Sequence, residues 1–337
     1  MSKTCKSKNN IWLGTELFLS RNLSTHKFPL KLSTEEGREV VDIVSKIFLA
    51  NKKYKFKKVN LWEESKETIY LWLEYGAITL KLYENREFSS FLVDEKNRVI
   101  IMINEENHIT ISLKSRYLSG YEVYLELEEL ISGLDEKLDI AYTEKLGYFT
   151  SNLNKVGSGF KASYIMHIPI CINMGFLEFI KKGLEKTGFT INDVFSDENK
   201  GLGNIYRISN ITTMGISYKA IISELDSIKN KIIMKEKKQR ELEKNMDEDK
   251  FLDNIFRAKG ILQNARQISF SEAIKLLSVL RMGMEMKIID GIDSNKINEI
   301  IIASKHNHIK QTLNDKFNKG NENVVRANLI RRFLQNI

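Results

Sequence analysis

Proline is nearly absent, with only Pro29 and Pro169 in 337 residues. Long helices and central strands are therefore permitted almost everywhere, because proline is what most often interrupts them. Cysteine is equally scarce, and Cys5 and Cys171 lie far apart. Two such residues exclude a disulfide-stapled scaffold and a four-cysteine metal site, and they point to reduced thiols. No metal site is read from the residues alone. No apolar run approaches the roughly 20 residues needed to cross a bilayer. The start, MSKTCKSKNN, is polar and basic, without the apolar stretch of a secretory signal. The expectation is a cytoplasmic protein with no membrane contact.

The apolar fraction of 42% and charged fraction of 28% are those of a globular chain. Its length suits one large or two ordinary domains. A net charge of +8 admits a polyanionic partner. The densest basic run, KKYKFKK at 52–58, interleaves Tyr54 and Phe56 with lysines. That alternation also describes an edge strand or an exposed helix start, so nucleic acid is an unlikely partner.

From about 68 to 127 the chain carries TIYLWLEY, ITLKLYE, RVIIMIN, HITISLK and YEVYLELE. Their aromatic and β-branched content, often alternating, predicts strands of an antiparallel sheet. LGYFTS, YIMHIPI and GNIYRIS add further strand candidates. After 216 the period changes. Ile221, Leu225, Ile228 and Ile232 recur at helical spacing. The mixed-charge run KEKKQRELEKNMDEDK reads as a solvated continuation of that helix. Ser269 and Glu272 form a candidate capping box before AIKLLSVLRMGMEM. The expected fold is α+β, a large antiparallel sheet flanked by helices over 1–250, with an all-helical module over 251–337.

One short stretch, NKVGSGFKAS at 154–163, has two readings. Gly157 and Gly159 flank a serine, and Lys161 follows, which could make a phosphate cradle. The Walker spacing is missing, and glycines at positive φ also make an ordinary tight turn before a strand.

Five stretches, in order, resemble the bacterial protein arginine kinases of the phosphagen (ATP:guanido) kinase family. LFLSRNLSTHKFP at 17–29 is similar to the family's Ser-Ser-Arg-Ile-Arg-Leu-Ala-Arg-Asn-Leu…Phe-Pro segment. NEENHITI at 104–111 resembles Asn-Glu-Glu-Asp-His-Leu-Arg-Ile. NKVGSGFKAS resembles Asn-Val-Gly-Thr-Gly-Leu-Arg-Ala-Ser, and GNIYRISN at 203–210 resembles Gly-Asn-Ile-Tyr-Gln-Ile-Ser-Asn. KGILQNARQISFSEAIKLLSVLRMG at 259–283 is similar to the helical module of the kinases that act on proteins.

The resemblance implies a curved antiparallel sheet backed by helices and a helical C-terminal domain. It implies transfer of the ATP γ-phosphoryl group, with Mg2+, to arginine side chains of proteins. Arginines clamp the phosphates in such enzymes, and carboxylates hold the guanidinium. Carried over residue by residue, the five clamp positions fall on Glu16, Phe18, Thr110, Lys161 and Asn192. Only Lys161 keeps a positive charge, and an ammonium lacks the planar fork of arginine. Charge-assisted hydrogen bonds contribute about 1.5–3 kcal/mol each. Losing four amounts to on the order of 6 kcal/mol if they add. Arg21 matches an arginine outside the clamp and reads as structural.

Glu106 matches the glutamate that orients the guanidinium, with Glu105 beside it, and Asp197 matches the mobile-loop acid. The next family acid, which helps organise magnesium, is Asn107 here. His108 beside it reads as a structural histidine. The phosphoarginine-reading motif Arg-Asp-x-x-Arg-Ala falls on Glu322, Asn323, Val324, Val325, Arg326 and Ala327. The resemblance implies a zinc-binding activator protein, a Clp-family unfoldase and a stress repressor as partners, and a homodimer through the C-terminal domain. The resulting expectation is an impaired or inactive kinase that binds proteins in stress response and quality control. The alternative is an active protein arginine kinase.

Overall fold

The computed structural model describes residues 11–195, 201–290, 294–313 and 319–335. Eight strands form one sheet in the order β2-β3-β4-β5-β1-β8-β10-β9, with every neighbouring pair antiparallel. They are β1 Trp12–Arg21, β2 Lys57–Asn60, β3 Ser90–Val93, β4 Val99–Ile103, β5 Ile109–Ser115, β8 Phe160–His167, β9 Phe189–Asp193 and β10 Ile205–Asn210. The two-residue strands β6 Tyr142–Thr143 and β7 Gly147–Tyr148 pair apart from it. The strand expectations over 98–114 and 203–209 hold. LGYFTS contributes only β7, and in YIMHIPI the strand stops at His167 because Pro169 opens a helix.

Three strand expectations are overturned. TIYLWLEY lies in helix α2 (Lys66–Tyr75), which follows α1 (Thr34–Leu49). ITLKLYE supplies α3 (Leu80–Glu84), and YEVYLELE lies in α4 (Gly120–Ile131). Capping decided each case. Ser65 Oγ accepts from Thr68 N, and Gly76 closes α2 at φ 71. Thr79 caps α3. Ser119 and Glu122 make a complete capping box on α4, whose buried Val123, Tyr124, Leu127 and Leu130 recur at helical spacing. β-branched and aromatic residues fit either period over so short a window.

The remaining helices are α5 (Leu134–Lys137), α6 (Pro169–Asn173), α7 (Leu177–Glu185), α8 (Tyr218–Met246), α9 (Glu248–Asn264), α10 (Phe270–Glu285), α11 (Ser294–Ala303), α12 (His306–Leu313) and α13 (Glu322–Leu334). Strand alternation gives the sheet two unlike faces. Leu17, Leu19, Ile111, Leu113, Phe160, Ala162, Tyr164 and Ile208 bury one face under α1, α4 and α8. On the other face, α2 and α3 cover only the β2–β4 end. The helices from α9 onward build their own apolar core, joined to the sheet end through Leu13, Ile165, Ile170 and Ile205.

KKYKFKK ends in β2, an edge strand, and Lys53, Lys55 and Lys58 pair with Glu129, Glu95 and Asp42. The mixed-charge run continues α8 as far as Met246 before Asp247 caps α9, and its solvated reading has two exceptions. Glu236 and Arg240 are buried. Ser269 Oγ caps α10 by accepting from Glu272 N at 3.2 Å. Among the described residues no helix is long and apolar enough to cross a membrane.

Candidate active site

The uncovered stretch of the second sheet face is polar. Antiparallel register brings Lys114 and Ser163 to either side of Glu16, and Ser112 and Lys161 to either side of Phe18. Ser209 pairs with Ser163, and Asn192 stands beside Arg207 at the β10–β9 end. Thr110 lies next to Ser20 on the same face. Three adjacent strands, β5, β1 and β8, thus gather Glu16, Phe18, Thr110 and Lys161, positions far apart in sequence, and β9 adds Asn192.

Glu16 is the centre of charge on this face. Arg207 reaches its Oε2 through both Nε and Nη2 at 3.0 Å, and Lys114 Nζ lies 4.0 Å from Oε1. Burial pushes the Glu16 carboxyl up, but Arg207, Lys114 and Lys161 together hold it below the usual carboxylate range. Burial depresses Lys161, and the neighbouring Arg207 and Lys155 charges depress it further. Arg207 did not stand out among the sequence candidates. The alternation of IYRISN, with Tyr206 and Ile208 facing the core, could have placed it here.

The glycine loop packs edge-on to this face. Gly157 has φ 111, and a Cβ there would sit 2.8 Å from Met214 Cα. Gly159 has φ 63, and a Cβ would meet the Ser20 carbonyl oxygen at 2.6 Å. Both positions therefore demand glycine. Buried Arg21 donates from Nη1 to the Ser20 and Ser158 carbonyls and from Nη2 to Tyr218 Oη. Its guanidinium lies 3.4 Å from the Tyr148 ring centroid. Arg21 is a brace for the loop. The loop holds Lys155 and Lys161 on a pocket of about 200 Å³, lined also by Asn152, Asn154, Thr190 and Asn210. Ammonium, amide and hydroxyl donors of this kind suit phosphate oxygens.

The β4–β5 turn supplies the carboxylates. Glu105 is buried, accepts from Thr79 Oγ1 at 2.8 Å and Thr110 Oγ1 at 3.3 Å, and binds Glu106 N at 2.8 Å. Its lone pairs are engaged by the scaffold, so it positions its neighbour. Glu106 is different: its Oε2 meets Lys155 Nζ at 2.6 Å, with both side chains over a quarter exposed. Asn107 accepts from Asn22 Nδ2 and Ser151 N, each at 2.8 Å. His108 is buried, accepts from Leu23 N at Nδ1 and donates from Nε2 to the Lys27 carbonyl. Burial lowers it to about 4, so it is a neutral scaffold histidine at ordinary pH. Asp197 lies outside the described residues.

Glu322, Asn323 and Arg326 sit elsewhere, on α13. Arg326 is buried, donating to the Ser304 and Ile268 carbonyls and to Asn323 Oδ1, and it pairs with Glu322. Glu322 also meets His306 Nδ1 at 2.8 Å. No three His, Cys, Asp or Glu side chains gather as a metal cage among the described residues. Magnesium is usually carried by phosphates and one or two carboxylates instead.

Comparison with known proteins gives this geometry a lineage. Residues 39–239 match the ATP:guanido phosphotransferase C-terminal catalytic domain, and residues 248–337 match the protein-arginine kinase McsB C-terminal domain. The protein-arginine kinase of Clostridium tetani is 34% identical over 99% of this chain and 98% of its own length. That of Clostridium novyi is 33% identical over 98% and 97%. Among solved structures, the substrate-free duplicated taurocyamine kinase of Schistosoma mansoni superposes with TM-score 0.60 at 19% identity, over 70% of this chain and 35% of that one. A lombricine kinase does so with TM-score 0.60 at 15% identity, over 68% and 67%. These two share the phosphagen kinase fold. With an antiparallel sheet flanked by helices, a helical C-terminal part and full-length relatives, the chain belongs to the protein-arginine kinases of the ATP:guanido phosphotransferase family.

Proposed function

We propose that the protein transfers the γ-phosphoryl group of ATP to arginine side chains of proteins. One observation carries this reading: Glu106 and the Lys155–Lys161 pocket converge beside the same glycine loop. Glu106 would receive the guanidinium and orient one nitrogen toward the γ-phosphorus. That nitrogen forms the P–N bond as the bond to the ADP oxygen breaks, and the guanidinium gives up one proton to the Glu106 carboxylate. Lys161 and Lys155 would neutralise phosphate charge in place of a bidentate clamp. Magnesium arriving with the nucleotide supplies further neutralisation. The names of the full-length relatives support this catalytic reading better than the expectation of an impaired regulator.

A second reading rests on Glu16. Its carboxylate lies where the family resemblance puts a phosphate-binding arginine, and Arg207 is committed to it. On that reading, nucleotide binds weakly, and the protein acts by holding partners such as a zinc-binding activator or a Clp-family unfoldase. Incubation with Mg-ATP and an arginine-rich test protein, followed by mass spectrometry for phosphoarginine, separates the two. Phosphoarginine that disappears in Glu106→Gln is the expected result. Its absence, with no Mg-ATP binding by calorimetry, would replace the first reading with the second.

A further inference from the structure

Around Glu106 every neighbouring side chain of the turn is tied to scaffold. Asn104 donates to the Gly37 and Phe88 carbonyls, Glu105 is held by Thr79 and Thr110, and Asn107 and His108 are bound as described. Glu106 alone has a carboxylate whose hydrogen-bond partner is one flexible cation, the Lys155 ammonium. Lys155 ends the 3₁₀ turn Leu153–Lys155, two residues before Gly157. It also lines the phosphate-suited pocket with Lys161. A single ammonium cannot serve the carboxylate and a bound phosphate at full strength, because its charge is compact and its donors few.

We propose that Lys155 couples arrival of the phosphoryl donor to capture of the arginine. The inference rests on Glu106 being the receiver of the guanidinium. With the pocket empty, Lys155 fills Glu106 as an internal stand-in for the substrate cation, and an incoming arginine must displace it. A triphosphate in the pocket draws the ammonium away, and Glu106 becomes free. Donor and acceptor then favour each other reciprocally, as linkage requires of any two ligands that share one competing group. The device also disfavours holding arginine side chains when no donor is present.

Calorimetric titration of a synthetic peptide with one arginine into the full-length chain tests this, with and without a saturating non-hydrolysable Mg-ATP analogue. In the wild type the analogue should tighten peptide binding about fivefold, at the low end of measured couplings. Lys155→Gln should bind the peptide about fivefold tighter without analogue and gain less than twofold from it. Lys155→Arg, which keeps the charge, should retain both the weak basal binding and the coupling. Unchanged peptide affinity in Lys155→Gln, with binding lost in Glu106→Gln, would overturn the coupling and leave the receiver role intact. Wild-type peptide affinity in Glu106→Gln would overturn both.

Discussion

Two groups of charged side chains in this molecule use the same chemistry and differ in burial. On the open sheet face, Glu16 pairs with Arg207 and Glu106 with Lys155, and the Arg207, Lys155 and Glu106 side chains are roughly a third exposed. At the seam between the sheet and the C-terminal helices, Arg240 binds Glu236 at 2.8 Å and Glu285 at 2.7 Å, with all three side chains almost wholly buried. His167 adds contacts to Glu285 at 3.5 Å and Ser278 Oγ at 2.9 Å. Glu236 further accepts from Ile170 N and Cys171 N at the start of α6. In the first group water can take the place of a lost partner at Arg207, Lys155 and Glu106, although Glu16 is only 13% exposed. In the second, nothing can, so each charge depends on the others. The face can exchange partners, and the seam cannot.

The strongest way to break this contrast is to delete a seam charge. Glu285→Ala leaves Arg240 with Glu236 alone and takes from buried Arg281 the carboxylate that favours its charge, and should cost about 3–5 kcal/mol in urea unfolding. Burial already lowers Arg281 to about 10, which reflects how poorly that site tolerates an unbalanced charge. A loss under about 1 kcal/mol would make the seam equivalent to the face.

The next effect is in acid. His108 titrates near 6.5 when unfolded but at about 4 in the folded protein, because burial disfavours its cation. Between those values the unfolded chain binds more protons. Stability is therefore full above pH 6.5, falls as pH drops, and is lower by about 3 kcal/mol once pH passes 4. Burial depresses His167 as well, so it contributes with the same sign. Chemical denaturation from pH 7 to 4 should show this slope, and a His108→Asn variant should show a shallower one.

A smaller change is expected on the open face. Glu16→Gln removes the carboxylate that holds Arg207, releasing a guanidinium for phosphate. Mg-ATP affinity should rise about fivefold, equivalent to about 1 kcal/mol. Unchanged affinity would show that Arg207 is not recruitable. The smallest effect is on folding: Lys155→Gln should shift thermal stability by no more than about 0.5 kcal/mol, as for most half-exposed pairs. A larger loss would move Lys155 into the class of the seam.

Much of the fold was legible because HITISLK and GNIYRIS alternate and leave one face to bury, while RVIIMIN is a continuous apolar run that is covered on both faces. The α2 and α4 segments misled because β-branched and aromatic content outweighed their caps, although Ser119, Glu122 and Gly76 were in plain view. The charged run in α8 misled for a different reason. Nothing local distinguishes Glu236 and Arg240 from their solvated neighbours. They are buried because α6 and α10 come from elsewhere in the chain to meet them.

The sequence by itself determined the family, the strands β4, β5, β8 and β10, the glycine pair at 157 and 159, and the identity of each side chain at the site. These follow from local pattern, local conformational demand and ordered resemblance. Only the tertiary structure decided that Arg207 holds Glu16, that Glu105 is consumed by Thr79 and Thr110, and that Lys155 stands against Glu106. Each of these pairs joins separate elements. Which charge meets which depends on strand register and loop packing, and these are set by burying the opposite face of the sheet.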